Sequence, residues 1–463
     1  MGVCEYEVRM ESKVTHSECS GNRKPEKIHL HDKIKDVDNG WSWLVVSACF
    51  TLQAFISATY STYGIMLRVL TKDLNRSVFQ LSWISSISGG GTSAFSHLVG
   101  MIIHKKGHRT VVLLGTVLTA GGSILSIFAV DHYLLYFTMG VMNGIGLACV
   151  NMSSLIIIYD YFYLKRAVAM SIANAGLSVG NFIFPYVVNY LIEEYGWRGS
   201  SLLMGGFFLQ GLCCCVVFNK QDSATLDALL IKDKLDIQKT EEKIQKKTTS
   251  LLKDFLFYRC LISQFLIGLC GYIFIIYLPL FCAQRFGENS TVGTFLVSMV
   301  GVGSLIGRVI FALIVNKWPD SATLVYAIGG AGCGLCYQLA VLCYSTPLMF
   351  IVTIAQGIFN GAWVTMSTMM LAQNFGMERL HLTCGIAYTC AGISTFAGSP
   401  LAAKITDLSG NIESAYMVNG ALFIISGLVL IPTGFKLVCS SNKGARSAIS
   451  FINVWITDPV LFI

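Results

Sequence analysis

The residue whose chemistry stands out first is an arginine inside a long apolar stretch. Residues 293–315 are long enough to cross a bilayer as a helix, and Arg308 is the only charge they carry. A fixed cation at that depth costs at least ~2.5 kcal/mol, so such residues usually face a bundle interior or a water-filled cavity. Because a guanidinium can grip a carboxylate through two parallel hydrogen bonds, the sequence predicts an anion-contacting residue on a transport path. The alternative is a structural arginine that reaches the headgroups or ties two helices together.

The composition places this arginine in an integral membrane protein. The chain has 463 residues, of which 54% are hydrophobic and only 13% are charged, whereas soluble domains average about 25% charged residues. The net charge of +7 comes from basic residues spread over loops and tails, and no basic stripe predicts nucleic-acid binding. We find no H-E-x-x-H motif, no P-loop and no nucleophile–base pair, so we expect neither an enzyme nor a cofactor.

The sixteen cysteines do not predict a metal site or a disulfide framework. Most of them lie inside apolar segments, as the run 213–215 does. The single C-x-x-C at 333–336 is also in an apolar run and has no second pair to complete a zinc site. We therefore interpret the cysteines as small apolar packing residues, and we expect no bound metal.

Twelve long apolar runs predict an all-α integral membrane fold with twelve transmembrane helices in two six-helix halves. The predicted parts are an N-terminal tail (1–40), a first half (41–218), a polar linker (219–254), a second half (255–437) and a C-terminal tail (438–463). The runs lie at approximately 41–67, 81–103, 111–130, 133–157, 167–192, 200–218, 255–283, 291–315, 322–343, 347–372, 381–403 and 415–437.

The distribution of basic residues predicts the orientation. With the N-terminus inside, 26 of the 33 Lys and Arg residues fall in inside segments and only 6 in outside loops, Arg308 being the remaining one. The tails and the linker dominate that difference, so the direction depends on the flanks of the first and seventh helices. We expect a multi-pass protein, in the plasma membrane, with both termini and the linker in the cytoplasm.

A weak repeat relates the two halves. A small residue four positions before a polar-basic turn follows the second run at 100–106, and the same pattern follows the eighth run at 312–317. Parallel six-helix repeats of this kind are typical of major facilitator transporters, whose substrate site lies near the midplane between the halves. The alternative is that any short cytoplasmic loop tends to be basic.

Two motifs carry a resemblance to one family. Residues 38–43, Asp-Asn-Gly-Trp-Ser-Trp, open the first helix, and residues 161–176 enter the fifth with Tyr-Phe, a basic pair and a closing Ala-Gly. Together these motifs resemble the two signatures of the monocarboxylate transporter family. The resemblance implies the major facilitator fold and transport of a carboxylate. Some members of that family pair with a single-span immunoglobulin-type glycoprotein, so such a partner is an open expectation.

Five residues of these motifs have an expected role in gating or topology. The basic pair would hold the cytoplasmic end of the fifth helix, and the tryptophans would anchor the first helix at the membrane interface. These residues are Asp38, Trp41, Trp43, Lys165 and Arg166.

Three departures from the family concern the site itself. In the proton-linked lactate carriers, the first helix has a lysine where this chain has Ser61, and an aspartate occupies the position of Ser304, one turn before Arg308. In the branch that carries aromatic amino acids and iodothyronines, an aspartate of the tenth helix faces the arginine, and the matching residue here is Asn360. The sequence thus offers Arg308 no obvious carboxylate inside the membrane.

The missing carboxylates bear on coupling. A proton-coupled carrier needs a titrating group on its path, and membrane proton relays use Asp, Glu or His. No Asp or Glu lies well inside any apolar run, and His97 is the one histidine that does. We therefore expect no strong proton coupling, with His97 as the alternative proton site or as a hydrogen-bonded packing residue.

The predicted substrate site therefore combines Arg308 with neutral groups. A small organic anion or a zwitterion would bind the guanidinium, hydroxyl and amide groups would add hydrogen bonds, and an indole would form an aromatic wall. The site residues are Arg308, Ser304, Asn360, Tyr60, Ser61, Tyr63 and Trp363.

Two functions remain open from the sequence. The first is a secondary transporter for a small carboxylate-bearing solute, a monocarboxylate, amino acid or related amphipathic acid, working by alternating access within the lipid bilayer. The second is a non-transporting receptor-like or chaperone paralogue that kept the fold, which the loss of the lysine and both carboxylates favours. The survival of Arg308 argues against the second, because a closed pore has little use for a costly cation.

Overall fold

A computed structural model describes residues 40–162, 166–218, 254–287, 290–376 and 380–441. Every regular element in these ranges is a helix. The N-terminal tail with Asp38, residues 219–253 of the predicted linker, Lys165 and the last 22 residues lie outside the described part.

The helices before the linker run back and forth across the molecule. A π-helical segment, Tyr136–Met142, joins the short α5 to α6. The helices are α1 (Trp41–Asp73), α2 (Val78–Ala94), α3 (Ser96–Lys106), α4 (His108–Leu125), α5 (His132–Leu135), α6 (Asn143–Tyr161), α7 (Arg166–Leu209) and α8 (Gly211–Val217).

The helices after the linker form a second set of similar size. They are α9 (Phe255–Cys270), α10 (Ile273–Phe286), α11 (Ser290–Lys317), α12 (Ala322–Leu342), α13 (Thr346–Phe375), α14 (Leu380–Ser409) and α15 (Ile412–Ser441).

Nine helices among the described residues are long and apolar enough to cross a membrane. One of them, Val168–Val217, has 50 residues and bends at Gly196, where φ is +67°, so it has the length of two spans. The other predicted spans fall on α2 with α3, where α2 alone has only 17 residues, and on α14. The all-α membrane fold is confirmed, and the count of twelve spans stays a prediction.

Three predicted spans are interrupted rather than continuous. The second changes from α2 to α3 at Phe95, the sixth from α7 to α8 at Gln210, and the seventh from α9 to α10 at Gly271 and Tyr272. Interrupted helices inside a membrane are tolerated where the backbone is buried in protein or lines a cavity. The break at Tyr272 therefore marks an interior position.

Glycines allow α11 and α13 to pack backbone against backbone. A Cβ atom at Gly303 would lie 2.2 Å from the Ile354 carbonyl oxygen, and one at Gly307 would lie 2.1 Å from the Ile358 carbonyl oxygen. Small residues at helix contacts are the usual means of close approach in membranes. This contact fixes the position of the α11 segment that carries Arg308.

A glutamine–serine pair occurs at matching places in both sets of helices. Gln53 of α1 donates from Nε2 to Ser154 Oγ of α6 at 3.0 Å, and Gln264 of α9 donates to Ser367 Oγ of α13 at 2.8 Å. Both pairs join the first and fourth predicted spans of their half. The pairs support the internal repeat, which the sequence showed only weakly.

The two halves meet in the middle of the bundle and at one end. We call this the Asn75 end, because the turn at Asn75 lies there, and the opposite one the Gly107 end. A Cβ atom at Gly64 of α1 would lie 2.9 Å from the Ile275 carbonyl oxygen of α10. Thr294 of α11 donates to Asn189 Oδ1 of α7 at 3.3 Å. These contacts hold the halves together at the Asn75 end.

Candidate substrate site between the halves

Arg308 is buried in the middle of the bundle. Its residue is 8% exposed, and it lies on α11 where that helix packs against α13. A Cβ atom at Gly361 of α13 would lie 2.9 Å from the Arg308 backbone nitrogen, so only glycine fits there without displacement. The side chain of a helical residue leans toward the helix N-terminus, which here directs the guanidinium away from the Gly107 end.

The guanidinium is hydrogen-bonded to a hydroxyl of the opposite half, which is bonded in turn to a second hydroxyl on α11. Arg308 Nε donates to Ser178 Oγ of α7 at 3.1 Å, and Ser178 Oγ donates to Ser304 Oγ of α11 at 3.1 Å. Ser178 is 1% exposed and Ser304 is 2% exposed. This chain of hydrogen bonds crosses from one half of the protein to the other, and its two ends are one helical turn apart on α11.

Part of the guanidinium has no partner. Arg308 Nη1 is buried without a hydrogen-bond acceptor, and no ion pair with a described carboxylate involves Arg308. Leaving one group of a buried charge unsatisfied is strongly unfavourable. The arrangement is therefore suited to an anion that supplies the missing acceptor.

Two stacked tyrosines lie next to this charge. The rings of Tyr60 on α1 and Tyr272 at the α9–α10 break are 4.4 Å apart and inclined by 16°. Tyr60 is 6% exposed, whereas Tyr272 is 37% exposed and interacts electrostatically with Arg308. Tyr272 therefore packs against a buried ring and lies within electrostatic reach of a buried cation.

Two asparagines lie on the helices that pack against α11. Asn181 lies three residues after Ser178 on α7, and its Oδ1 is buried without a hydrogen bond. Asn360 precedes Gly361, which contacts the Arg308 backbone, and its partly buried side chain forms no hydrogen bond with a described residue. These amides and the arginine place polar atoms without hydrogen bonds on α11 and on the two helices, α7 and α13, that pack against it.

Two predicted site residues of α1 form hydrogen bonds within the N-terminal half and not with Arg308. Ser61 Oγ donates to the Ser57 carbonyl oxygen of its own helix at 3.1 Å. Tyr63 donates to the Met139 carbonyl oxygen at 2.5 Å and accepts from Asn143 Nδ2 at 3.3 Å, both within the N-terminal half. The structure gives neither residue a contact with Arg308.

Trp363 packs against the helix break rather than against the arginine. Its ring would be 3.7 Å from a Cβ atom at Gly271, which directly precedes Tyr272. It also lies 6.3 Å from the Phe423 ring, measured between centroids. Trp363 therefore supports the region that positions Tyr272.

The tryptophans of the first motif fix the start of α1. Trp41 is 54% exposed and donates from Nε1 to the Val217 carbonyl oxygen of α8 at 3.1 Å. Trp43 packs edge-on against Phe162, with 5.2 Å between the ring centroids. Both contacts suit anchoring residues. The side chains of His97 and Arg166 lie outside what the structure describes.

Sequence reasoning missed Ser178, Asn181 and Tyr272. Ser178 and Asn181 are small polar residues of a motif-bearing helix, and Tyr272 follows a glycine inside an apolar run. Of the three, only Tyr272 could have been found from its neighbours, because the glycine before it weakens a helix and so indicates a break there. The described residues contain no group of three His, Cys, Asp or Glu that could hold a metal ion.

The sequence itself matches the model of a known superfamily. Its family model, the Major Facilitator Superfamily, matches residues 49–337 and 321–450. The chain belongs to the Major Facilitator Superfamily. The predicted likeness to monocarboxylate transporters is also confirmed, because curated members of that family align with most of the chain.

Three of these relatives illustrate the degree of sequence similarity. Monocarboxylate transporter 12 of Homo sapiens is 27% identical over 420 residues, which cover 85% of this chain and 80% of the relative. Monocarboxylate transporter 13 of Rattus norvegicus is 26% identical, with coverages of 88% and 92%. Monocarboxylate transporter 2 of Mus musculus is 27% identical, with coverages of 85% and 84%.

Solved structures agree on the fold. A crystal structure of a POT family transporter in complex with 5-aminolevulinic acid superposes with a TM-score of 0.65. It covers 85% of this chain and 96% of the other, at 14% sequence identity. At that identity the likeness concerns the fold alone. As a member of the Major Facilitator Superfamily, the chain is a transporter-fold membrane protein and not an enzyme.

Proposed function

We propose that this protein is a secondary transporter that moves a small carboxylate-bearing organic solute by alternating access. The observation that carries the proposal is the buried Arg308, whose Nη1 has no acceptor and whose Nε is held only by a hydroxyl of the opposite half. A carboxylate would satisfy the guanidinium with charge-assisted hydrogen bonds. The names of the relatives support a monocarboxylate-like substrate.

The described conformation corresponds to one state of the transport cycle. Contacts such as Gly64 with Ile275 close the Asn75 end, and Tyr60 stacked on Tyr272 forms the layer between that end and Arg308. Rocking of the halves about the Arg308 level would open the Asn75 end and close the other. With the predicted orientation, the Asn75 end faces the outside of the cell.

We further propose that protons do not drive this transport strongly. Ser304 and Asn360 stand where relatives carry carboxylates, and no described Asp or Glu forms an ion pair with Arg308. A guanidinium keeps its proton under physiological conditions, so it does not reset its charge during the cycle.

The cellular setting is part of the same proposal. The flanking basic residues support cytoplasmic termini and a cytoplasmic linker in a plasma-membrane protein. A single-span immunoglobulin-type glycoprotein is a candidate partner by resemblance to the family alone. Labelling of terminal tags from outside intact cells would contradict this topology.

Uptake by the purified protein in liposomes tests the proposal directly. Candidate substrates are monocarboxylates, aromatic amino acids, creatine and carnitine, each offered with and without a pH gradient. We expect saturable uptake of at least one carboxylate by the wild type and none by Arg308→Ala. Absence of uptake for every compound, from protein that is folded and inserted, would favour the non-transporting paralogue.

A further inference from the structure

A polar face of α7 lies against α11 beside the guanidinium. Ser178 and Asn181 are three residues apart and therefore share one face of α7. A Cβ atom at Gly301 of α11 would lie 2.8 Å from the Ser178 carbonyl oxygen and 2.9 Å from the Asn181 carbonyl carbon. Ser178 also accepts the Arg308 hydrogen bond, so Asn181 is about one helical turn from the residue that binds the guanidinium.

Two buried atoms in this region lack partners, and their chemistry is complementary to one kind of ligand. Arg308 Nη1 is a donor without an acceptor, and Asn181 Oδ1 is an acceptor without a donor. Buried polar atoms are nearly always hydrogen-bonded, so unpaired ones call for a specific explanation. A ligand that presents an acceptor to Nη1 and a donor to Oδ1 would satisfy both.

We propose that Asn181 is a specificity-determining residue that reads a hydroxyl group on the substrate close to its carboxylate. The carboxylate binds Arg308, and the hydroxyl donates to Asn181 Oδ1 across the contact between the halves. This inference rests on the proposed transport function and narrows it to hydroxy-carboxylates. An acid without the hydroxyl leaves the amide oxygen unpaired and is therefore bound less well.

The charge of the site favours a hydroxyl over an ammonium group as the donor. Both groups could donate to Asn181, but an ammonium would lie close to a guanidinium that has no carboxylate partner among the described residues. Two like charges a few ångströms apart repel each other in a protein interior. A neutral hydroxyl carries no such penalty.

The experiment compares three acids of equal chain length on the purified full chain in liposomes. They are butanoate, 2-hydroxybutanoate and 2-aminobutanoate. We expect the wild type to prefer 2-hydroxybutanoate over each of the others by at least about tenfold in kcat/KM, since one unpaired buried group distinguishes them. In Asn181→Leu, which removes the amide at similar volume, the preference for 2-hydroxybutanoate over butanoate should fall to about twofold or less.

Asn189→Leu is the matched control. Asn189 lies on the same helix, but its amide is already paired, with Nδ2 donating to Glu193 at 2.8 Å and Oδ1 accepting from Thr294 at 3.3 Å. Its replacement should leave the ratio between the acids unchanged, whatever it does to the absolute rate. Asn181→Ala is the second variant, and thermal stabilisation of the detergent-purified wild type by the three acids gives a ranking that does not depend on transport.

Different outcomes test the role of Asn181 and the proposed transport function. Equal transport of butanoate and 2-hydroxybutanoate, or a preference that survives in Asn181→Leu and Asn181→Ala, overturns the role of Asn181 and leaves the transporter intact. A best rate with 2-aminobutanoate overturns the choice of hydroxyl. If no carboxylate is taken up and none stabilises the protein, the proposed function is overturned, and the inference falls with it.

Discussion

Arg308 Nε donates to one hydroxyl, and Nη1 has no acceptor among the described residues. The effect of replacing Arg308 on uptake follows from these two observations. Arg308→Ala and Arg308→Lys should both lower uptake by roughly 100-fold or more, since each hydrogen bond to a charged group contributes about 1.5–3 kcal/mol. Lysine keeps the charge but loses the planar pair of donors. The measurement is initial uptake at equal surface expression.

Arg76→Lys serves as the control for that substitution. Arg76 is exposed and pairs with Asp131 at 3.1 Å, far from the site in the fold, so its variant should transport normally. Normal uptake by Arg308→Lys would instead support the structural role of Arg308.

Ser304 allows a second test at the residue scale. In Ser304→Asp, a carboxylate one turn from Arg308 should pair with the guanidinium and compete with the substrate, raising KM by about tenfold. Ser304→Asn has the same shape without the charge and should stay within about threefold of the wild type. Equal KM values for the two variants would show that the substrate anion does not bind next to Ser304.

The sequence predicted the charged residue of the site better than its neighbours. Arg308 was found because a charge inside an apolar run is costly wherever it lies, and Ser304 because it occupies the position of the lactate carriers' aspartate one turn earlier. Ser178 is 130 residues away, and only the packing of α7 on α11 shows that it contacts Arg308. Ser61 and Tyr63 were placed by counting along α1, which gives a position but not the direction in which a side chain points.

At the level of helices, close approach of α1 and α10 closes the Asn75 end. In Gly64→Val, a Cβ atom would lie 2.9 Å from the Ile275 carbonyl oxygen and 3.0 Å from that of Ile276, and backbone atoms cannot move aside cheaply. We expect uptake to fall by roughly tenfold or more, since overpacking commonly costs about 1–3 kcal/mol. Hydrogen exchange of the Ile273–Phe286 segment should become faster.

Gly206→Val controls for the loss of a glycine. A Cβ atom at Gly206 has no heavy atom within 4 Å, so this variant should transport and exchange like the wild type. If Gly64→Val behaved in the same way, the contact between α1 and α10 would not belong to the closed state.

The helices themselves were predictable, but their interruptions were not. Apolar length and the basic flanks indicated the spans, because the bilayer fixes how many apolar residues a helix needs. Hydropathy does not register a change of backbone angles, so α9 and α10 were predicted as one run although they separate at Gly271. That break places Tyr272 in the interior, which explains why the sequence did not identify it as a site residue.

For the whole molecule, the decisive test is whether a proton gradient drives substrate accumulation. We expect an inward proton gradient, imposed with equal K⁺ on both sides and valinomycin present, to produce no uphill accumulation of the identified substrate. The physical reason is that Arg308 has no titrating carboxylate partner among the described residues. Substrate concentrations inside and outside the liposomes are the measurement.

Accumulation that collapses with a protonophore would contradict this expectation. An ordinary imidazole has a pKa of about 6.5, so His97 is then the first residue to test. Loss of that accumulation in a normally inserted His97→Gln variant would locate the proton site in the second span.

Because Arg308 has no carboxylate partner among the described residues, transport of a monoanion would also be electrogenic. If a monoanion crosses without a proton, each turnover moves one net negative charge, and 100 mV acts on that charge with about 2.3 kcal/mol. A cell interior that is negative by that amount favours exit over entry by roughly 50-fold at equilibrium, because 1.4 kcal/mol corresponds to a factor of ten. The resting membrane potential would then make this protein an exporter of its acid, and transport would appear as a current.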